Sequence, residues 1–486
     1  MAFTTDEDLR HLFRRAGFGA SPSELELYRA VGPREVLNAL LDFDTIPDDV
    51  DAKIGQPGYA RVMVRGEFKP NTNITDARQR WLFRMLHTER PLQEKLTLFW
   101  HNHFATAYSK VAGAYGSSDG TRLMAAKPSE DPVRQEGQIE LIRRMCMGPF
   151  DDFLVAMAKD VAMLVWLDGR FNTKAKPQEN FGRELMELFT MGVRLYVEAD
   201  VYAAARVFTG WNLRRTTSGA GDPNPRYEFS YNAAQHDTTA KAFSFPIYPD
   251  GGRTIPARSS ADGLQDGIDL IRAVASHPET AKRLARRLYG YFVSEVNPPD
   301  EVFIADLAAA YLQNNLSLRS MVGRLLRSSP FHDAANFFSR YSWPVEFAIR
   351  AVKELGWIGF NVNDVVNALT NMGQLLFEPP DVAGWELGPG WISSGAMLAR
   401  ANFAATLTTN QRTNLLAEAR PHAQTPEALL AFMLDRLSCA PLDQRAYDDL
   451  RGYVGSTTWT GSDTQVRNKA AGLAHLILGA GEYVFV

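Results

Sequence analysis

The sequence predicts a mainly α-helical fold: one large multi-helix body with a small β-hairpin insertion and long irregular loops. Apolar residues recur at helical spacing through most of the chain, as in the segment 92–105. Residue types that favour helix starts and helix ends flank many of these segments. Strand-like alternation is confined to residues 212–260. These patterns together favour helices packed on helices with one β excursion.

The composition is that of a globular protein. The 486 residues are 45% hydrophobic and 22% charged, so the chain can bury a sizeable core. The formal net charge of -4 is small for this length and argues against nucleic-acid binding, which needs a basic face. The two cysteines, Cys146 and Cys439, make neither a disulfide framework nor a thiolate metal site.

The start of the sequence predicts where the protein resides. It has neither a basic segment nor an apolar run, so no signal peptide is visible, and a native start predicts a cytoplasmic protein. No uninterrupted apolar run reaches the roughly 18 residues that a transmembrane helix needs. We therefore expect no transmembrane segment.

The first predicted region, residues 1–211, is helical. Residues 21–24 read Ser-Pro-Ser-Glu, a capping-box pattern that predicts a helix start. Pro91 stands where another helix begins. Residues 111–136 are rich in Gly, Ser, Pro and Asp, and this composition predicts a long loop.

Two further elements complete the predicted order. A helix is predicted from Glu179 to about Thr190, with Gly192 as its C-cap. Residues 212–260 are predicted to form a β-hairpin insertion with strands at Tyr227 to Tyr231 and Ala242 to Phe245.

Residues 261–486 return to helical patterns. We expect this region to form one continuous body with residues 1–211. Residues 377–395 interrupt it with a second irregular segment that contains Pro379, Pro380 and Gly384.

Several motifs resemble those of the domain-of-unknown-function 1800 family. They follow the family's order and span about residues 8 to 400: His11–Gly19 (HLFRRAGFG), Leu98–Thr106 (LFWHNHFAT), Trp166–Asp168, Glu179–Leu188 (ENFGRELMEL), Phe208–Trp211, His236–Asp237 and Pro379–Trp385. Two departures stand out: Gln178 replaces a frequent Asn, and Phe189 replaces a His that many members have. The resemblance implies a helical fold but no established activity, and many relatives look exported.

The first candidate site lies on the predicted helix 179–190. Asn180, Glu184 and Glu187 are spaced i, i+4 and i+7, so they share one helix face. Two carboxylates one turn apart can bind a metal or act as acid and base, with Asn180 and Arg183 contacting substrate. The alternative is structural, because Arg183 lies four residues from both Glu179 and Glu187 and can form ordinary helix ion pairs.

The second candidate is the His101-Asn102-His103 segment. Together with Glu184 and Glu187, His101 and His103 are the predicted ligands of a divalent metal, and His101 is also a candidate acid or base. In a helix, however, the two histidines point about 200° apart and cannot bind one ion from a single face. The alternative is that His101 hydrogen-bonds within the core.

The third candidate combines loop residues with aromatic platforms. His236 and Asp237 are predicted to be catalytic if the loop leans over the Glu184 face, and Lys241 to hold an anionic group. The alternative for His236-Asp237 is a simple turn. Trp211 and Trp385 are candidate stacking platforms for substrate, although tryptophans more often fill a core.

The basic run Lys282, Arg283, Arg286 and Arg287 is predicted to be a solvated helix face rather than a phosphate groove. The sequence contains no phosphate loop, no dinucleotide-binding fingerprint and no nucleophile elbow. The sequence therefore offers no phosphate-binding or serine-hydrolase motif from which a function could be predicted.

The sequence favours a hydrolase that uses a His/Glu cluster, metal-assisted or acid/base, on a small-molecule or polymer substrate. A non-catalytic helical binding or scaffold protein is the first alternative, and a metal-dependent oxidoreductase is the second. Convergence of His101, His103, Glu184, Glu187 and His236 within about 8 Å of one cavity would favour an enzyme, and dispersal would favour the scaffold. The sequence specifies no oligomeric state.

Overall fold

The computed structural model describes residues 5–64, 66–356, 360–409, 413 and 415–486. Within these residues the chain forms 23 α-helices and two small antiparallel sheets of two strands each. The prediction of a mainly α-helical fold with a small β-hairpin is confirmed. Within the same ranges, no helix combines the length and hydrophobicity that a membrane crossing requires.

Twelve helices precede the sheets. They are α1 (Asp6–Ala16), α2 (Pro22–Val31), α3 (Pro33–Leu41), α4 (Ile74–His87), α5 (Pro91–His103), α6 (Tyr108–Tyr115), α7 (Ser117–Ala125), α8 (Gln138–Met145), α9 (Phe150–Lys159), α10 (Val161–Trp166), α11 (Asn180–Glu184) and α12 (Glu198–Val207). Helix α11 continues directly into a π-helix over Leu185–Phe189.

Four strands and eleven helices follow. The strands are β1 (Trp211–Thr216), β2 (Arg226–Tyr231), β3 (Lys241–Ala242) and β4 (Thr254–Ile255). The helices are α13 (Leu264–Ala275), α14 (Pro278–Phe292), α15 (Glu301–Leu312), α16 (Leu318–Leu326), α17 (Pro344–Glu354), α18 (Val362–Asn371), α19 (Ser394–Thr409), α20 (Leu415–Ala419), α21 (Pro426–Leu437), α22 (Gln444–Gly455) and α23 (Asp463–Gly479).

Local sequence signals explain several helix starts. Before α2, the Ser21 hydroxyl accepts a bond from the Glu24 N–H, and the Glu24 carboxylate accepts one from the Ser21 N–H at 2.7 Å. This is the predicted capping box. Pro91 and Pro278 occupy the first turns of α5 and α14, where a missing N–H costs nothing.

The predicted hairpin pairing was wrong. Strand β2 matches the predicted strand from Tyr227, but it pairs with β1, in the register Trp211↔Tyr231. Of the predicted strand Ala242 to Phe245, only Ala242 lies in a strand, and β3 pairs with β4. The chain leaves the ladder at Ser244 because this residue's N–H donates to the Asp200 carboxylate on α12 at 2.6 Å.

The prediction of a long loop over residues 111–136 was also wrong in its first half. Helices α6 and α7 cover most of residues 108–125 and are joined at Gly116, whose φ of 87° suits a glycine. A Cβ on Gly120 would lie 2.6 Å from the Ala112 Cα. Small residues therefore let the two helices pack closely, although the same residues made the segment resemble a loop.

Helix α5 lies at the centre of the fold, since every one of its residues is buried. A helix that is buried on all sides belongs to the core of a large protein. The Trp100 Nε1–H donates to the Cys146 carbonyl at 2.9 Å, and the Tyr291 hydroxyl of α14 donates to the Lys95 carbonyl at 3.2 Å. These bonds connect helices from both halves of the chain and fix α14 beside α5.

Candidate anion-binding cleft

A cleft of about 810 Å³ opens along one side of α14. We call it the α14 cleft, and define it by Phe99, Glu187, Arg283, Arg287, Tyr291 and Glu295, all of which line it. Residues after the π-helix, the turn that follows α14 and the loop around Leu387 complete its walls. The cleft thus joins four separated parts of the sequence, as ligand sites commonly do.

The π-helix and the turn after it bring Glu187 and α14 together. The helix ends at Phe189 with Thr190 as its C-cap, so the prediction of Gly192 as the C-cap was wrong by two residues. Gly192 has a φ of 99°, and its N–H donates to the Met186 carbonyl at 2.9 Å, which fixes the turn after the helix. A Cβ on Gly192 would lie 3.1 Å from the Arg283 Cδ. Glycine at this position therefore allows the Arg283 side chain to lie against the turn.

Arg283 and Arg287 are four residues apart and face the cleft. Arg283 donates to the Leu188 carbonyl at 2.6 Å. Burial lowers the pKa of Arg283, although Glu187 acts in the opposite direction. Burial, followed by repulsion from Arg283, lowers the pKa of Arg287 to about 9. Both groups stay charged at neutral pH.

Neither arginine forms an ion pair with a carboxylate in the part of the chain that the structure describes. The Arg287 Nε is buried and has no hydrogen-bond partner among those residues. The Arg287 guanidinium lies 5.9 Å from the centre of the Phe99 ring. Buried cations are normally paired with an anion. The absence of an ion pair at these two arginines therefore indicates that an anionic ligand could bind them.

The other two members of the basic run behave differently. Lys282 pairs with Glu279 at 2.8 Å, and Arg286 at the cleft edge pairs with Glu301 at 2.6 Å. The predicted solvated face therefore describes Lys282 and Arg286 but is wrong for Arg283 and Arg287. The helical period places Lys282 and Arg286 on one face of α14 and Arg283 and Arg287 on another. It does not predict which of these faces lines a cleft.

Glu295 is a functional candidate that sequence reasoning missed. It follows α14, and its two oxygens accept bonds from the Tyr341 N–H at 2.9 Å and the Gly388 N–H at 3.0 Å. Burial raises its pKa and outweighs the opposing effect of Arg340 and these N–H groups. The only sequence signal was a glutamate just before the Pro298-Pro299 turn.

The aromatic wall of the cleft is held by charges behind it. Tyr291 lies 5.1 Å from both Phe99 and Trp343, measured between ring centres. The Arg340 guanidinium lies 4.4 Å from the Tyr291 ring. Arg340 in turn pairs with the buried Glu346 at 2.8 Å, so the cation behind the wall has a carboxylate partner.

The structure separates His101 and His103 from the cleft, whose lining includes Asn102 instead. His101 is 1% exposed, contacts the rings of Trp81 and Phe377, and burial lowers its pKa to about 3. The His103 Nε2–H donates to the Phe189 carbonyl at 3.1 Å, and burial lowers its pKa as well. Both histidines are neutral core residues in this arrangement.

Of the two carboxylates predicted on this helix, only one lines the cleft. Glu187 lines the cleft and accepts a bond from the Tyr196 hydroxyl. Glu184 is half-buried and outside the cleft lining, and burial together with Glu187 raises its pKa. Asn180 is exposed. Arg183 pairs with Glu179 and Glu198, which is the structural alternative for this residue.

His236, Asp237 and Lys241 lie in a different cluster from Glu184. The His236 Nδ1–H donates to the Thr209 carbonyl at 2.8 Å, and its Nε2 lies 3.2 Å from Asp266. Lys241 donates to the same Asp266 carboxylate at 2.5 Å.

Asp237 has a separate partner, because it accepts a bond from Arg206 at 2.7 Å. Burial raises the pKa of Asp237, but the bonds from Arg206 and Thr239 together outweigh it, so the pKa is lowered. Asp266 and Arg206 therefore attach this loop to α13 and α12.

Trp211 and Trp385 are core residues and do not face an open platform. Trp211 is 2% exposed and packs edge-on against Phe208 at 5.2 Å. Trp385 is 4% exposed, and its N–H donates to the Asn102 side-chain oxygen at 2.7 Å. A Cβ on Gly384 would lie 2.3 Å from the same oxygen. Asn102 thus fixes the irregular segment on α5.

The predicted metal set does not form. Among the residues within the described ranges, no group of three or more His, Cys, Asp or Glu side chains is arranged to hold a metal ion. His101, His103, Glu184 and Glu187 are all described, and the two histidines are directed into the core from opposite sides of α5.

The fold and site define a class: a mainly helical protein with a basic, aromatic-walled cleft. A family model described as "Protein of unknown function (DUF1800)" matches residues 11–485, and the chain belongs to that family. The resemblance seen in the sequence motifs is thereby confirmed. No curated protein and no solved structure matches the chain.

Proposed function

We propose that this protein is an acid/base hydrolase that binds an anionic substrate in the α14 cleft. The main observation is the Arg283–Arg287 pair, two cationic groups that line a cleft and form no ion pair with a carboxylate among the described residues. An anionic substrate would supply the missing charge. Guanidinium groups bind carboxylate and phosphate oxygens through directed, charge-assisted hydrogen bonds.

Glu295 is the proposed general acid. Its raised pKa favours the protonated form that an acid needs, and it lines the same cleft as the arginines. Glu187 is the proposed general base. In the reaction, water gives a proton to Glu187 as its oxygen bonds to the electrophilic carbon, and the leaving oxygen takes the Glu295 proton as its bond to that carbon breaks.

The second candidate is a binding protein without catalysis, which corresponds to the scaffold alternative. One observation favours it: Glu295 already accepts two backbone N–H bonds, from Tyr341 and Gly388, and these give it a structural role. A metal-dependent oxidoreductase receives no comparable support, because the described residues include no suitable group of ligands.

The experiment uses mono-4-nitrophenyl succinate, an ester with a free carboxylate, on the purified full chain. We expect Glu295→Gln to lower kcat by at least about 100-fold, as for loss of a general acid, and to remove the fall in rate at high pH. Arg287→Gln should raise KM about tenfold or more. Glu427→Gln, which changes an exposed carboxylate outside the cleft, should match the wild type.

Two results would count against the hydrolase. If Glu295→Gln keeps the full rate, the assignment of the acid is wrong. If the wild type does not cleave the ester while Arg287 is still required to bind succinate, the non-catalytic binding protein is the better account.

A further inference from the structure

The rim of the α14 cleft is unusually apolar for a surface that faces water. Val193, Val296 and Leu387 line the cleft, and they are 61%, 54% and 48% exposed. They come from three separate segments: the turn after the π-helix, the turn after α14 and the loop before Gly388. Tertiary folding therefore brings three exposed apolar side chains to one opening.

The charge pattern of the cleft changes with depth. Arg287 is partly buried in it, with its Nε out of contact with water, beside the Phe99 ring. The rim residues Val193, Val296 and Leu387 are, in contrast, largely in water. A ligand that matches this pattern has a charged head for the arginines and an apolar portion that covers the rim.

We propose that the ligand class of this cleft is a single-chain anionic amphiphile, with a carboxylate or phosphate head on Arg283 and Arg287 and an alkyl chain along the rim. This inference rests on the proposed function, because it assumes the same anion site. It adds the apolar part of the substrate, which the arginines alone do not specify. Each methylene buried on the rim would strengthen binding.

The test is calorimetric titration of the full-length protein with ethyl, hexyl and decyl phosphate and with the matching alkyl carboxylates, all below their micellar concentrations. Affinity should rise with chain length, by up to about fourfold for each methylene that is fully buried. The two series separate a phosphate head from a carboxylate head, since the preferred head binds more tightly at every chain length.

Substitutions at the rim test whether these residues cause the rise in affinity with chain length. The double variant Val296→Ser with Leu387→Ser should weaken decyl phosphate by about tenfold or more and leave ethyl phosphate unchanged. Val302 is 76% exposed but outside the cleft lining, so Val302→Ser is the matched control and should change neither. All these positions are on the surface, so the variants are expected to fold.

Each failure has a distinct pattern. Equal affinity for ethyl and decyl phosphate in the wild type, with both weakened by Arg287→Gln, would overturn the amphiphile and retain the anion site. If Val302→Ser also weakens the binding of decyl phosphate, the amphiphile proposal is wrong, because the alkyl chain would then bind apolar surface non-specifically. If Arg287→Gln weakens none of the ligands, the anion site of the proposed function is wrong.

Discussion

Two polar clusters of this protein contain similar residue types but differ in how their charges are satisfied. In the Asp266 cluster, the carboxylate accepts bonds from Lys241 and Arg258 and lies beside His236. In the α14 cleft, Arg283 and Arg287 form no ion pair with a described carboxylate, although Glu187 lines the same cleft. A concentration of polar residues therefore identifies core networks as readily as sites. Arg283 and Arg287 favour a site because they lie in an open cleft and form no ion pair there.

The largest expected effect is on the Asp266 cluster. Asp266→Ala removes the carboxylate that offsets the fully buried Lys241, and an uncompensated buried charge is costly. We expect the free energy of unfolding to fall by about 3–5 kcal/mol, measured by urea denaturation. Glu301→Gln, which removes an exposed charge, serves as control and should leave the urea midpoint unchanged. An equal loss in both variants would contradict the comparison.

The next largest effect is the loss of stability at acid pH that the buried His101 causes. His101 has a pKa of about 3 in the folded protein and an ordinary value near 6.5 when unfolded, so only the unfolded chain binds the proton between these values. Stability should therefore fall as pH drops below about 6.5, by up to about 1.4 kcal/mol per pH unit for this residue.

The measurement is urea denaturation at several pH values on the wild type and on His101→Phe. The variant should lose this part of the pH dependence, whereas His422→Phe, at an exposed position, should retain it. A His101 resonance that titrates near pH 6.5 in the folded protein would show that this histidine is accessible and that the core assignment is wrong.

The smallest expected effect has the opposite sign. Arg287→Met replaces a partly buried cation that lacks a counter-ion, so it should raise the free energy of unfolding by about 1–2 kcal/mol while removing anion binding. Phosphate should raise the melting temperature of the wild type but not that of the variant. Arg324→Met, at a surface ion pair with Asp306, should neither gain stability nor lose the phosphate response.

Much of the fold was predictable from local chemistry. The capping box at Ser21 and the proline at the start of α5 correctly indicated helix starts, whereas Gly192 lies two residues beyond the actual C-cap, Thr190. The pairing of β1 with β2 was not predictable, because Trp211–Thr216 is largely polar and its burial declines along the strand instead of alternating. Gly116 and Gly120 suggested a loop although they serve close helix packing.

The candidate site was less predictable, for a physical reason. Glu187 was predicted from its spacing on the helix and does line the cleft. Periodicity divides the basic run of α14 into two equivalent i, i+4 pairs, and only tertiary packing turns Arg283 and Arg287 toward the cleft. Asn102 was likewise missed because it lies between two histidines that looked like better candidates. Its bond to Trp385 joins residues 283 positions apart, so no local sequence pattern indicates it.

Calorimetric titration of inorganic phosphate into the wild type, Arg287→Gln and Arg324→Gln, at one fixed ionic strength, tests whether Arg283 and Arg287 form an anion site. We expect saturable binding to the wild type, a loss of affinity of about tenfold or more in Arg287→Gln and unchanged affinity in Arg324→Gln, since charge-assisted hydrogen bonds contribute roughly 1.5–3 kcal/mol. Equal affinity in all three proteins, or no binding to the wild type, would contradict this expectation.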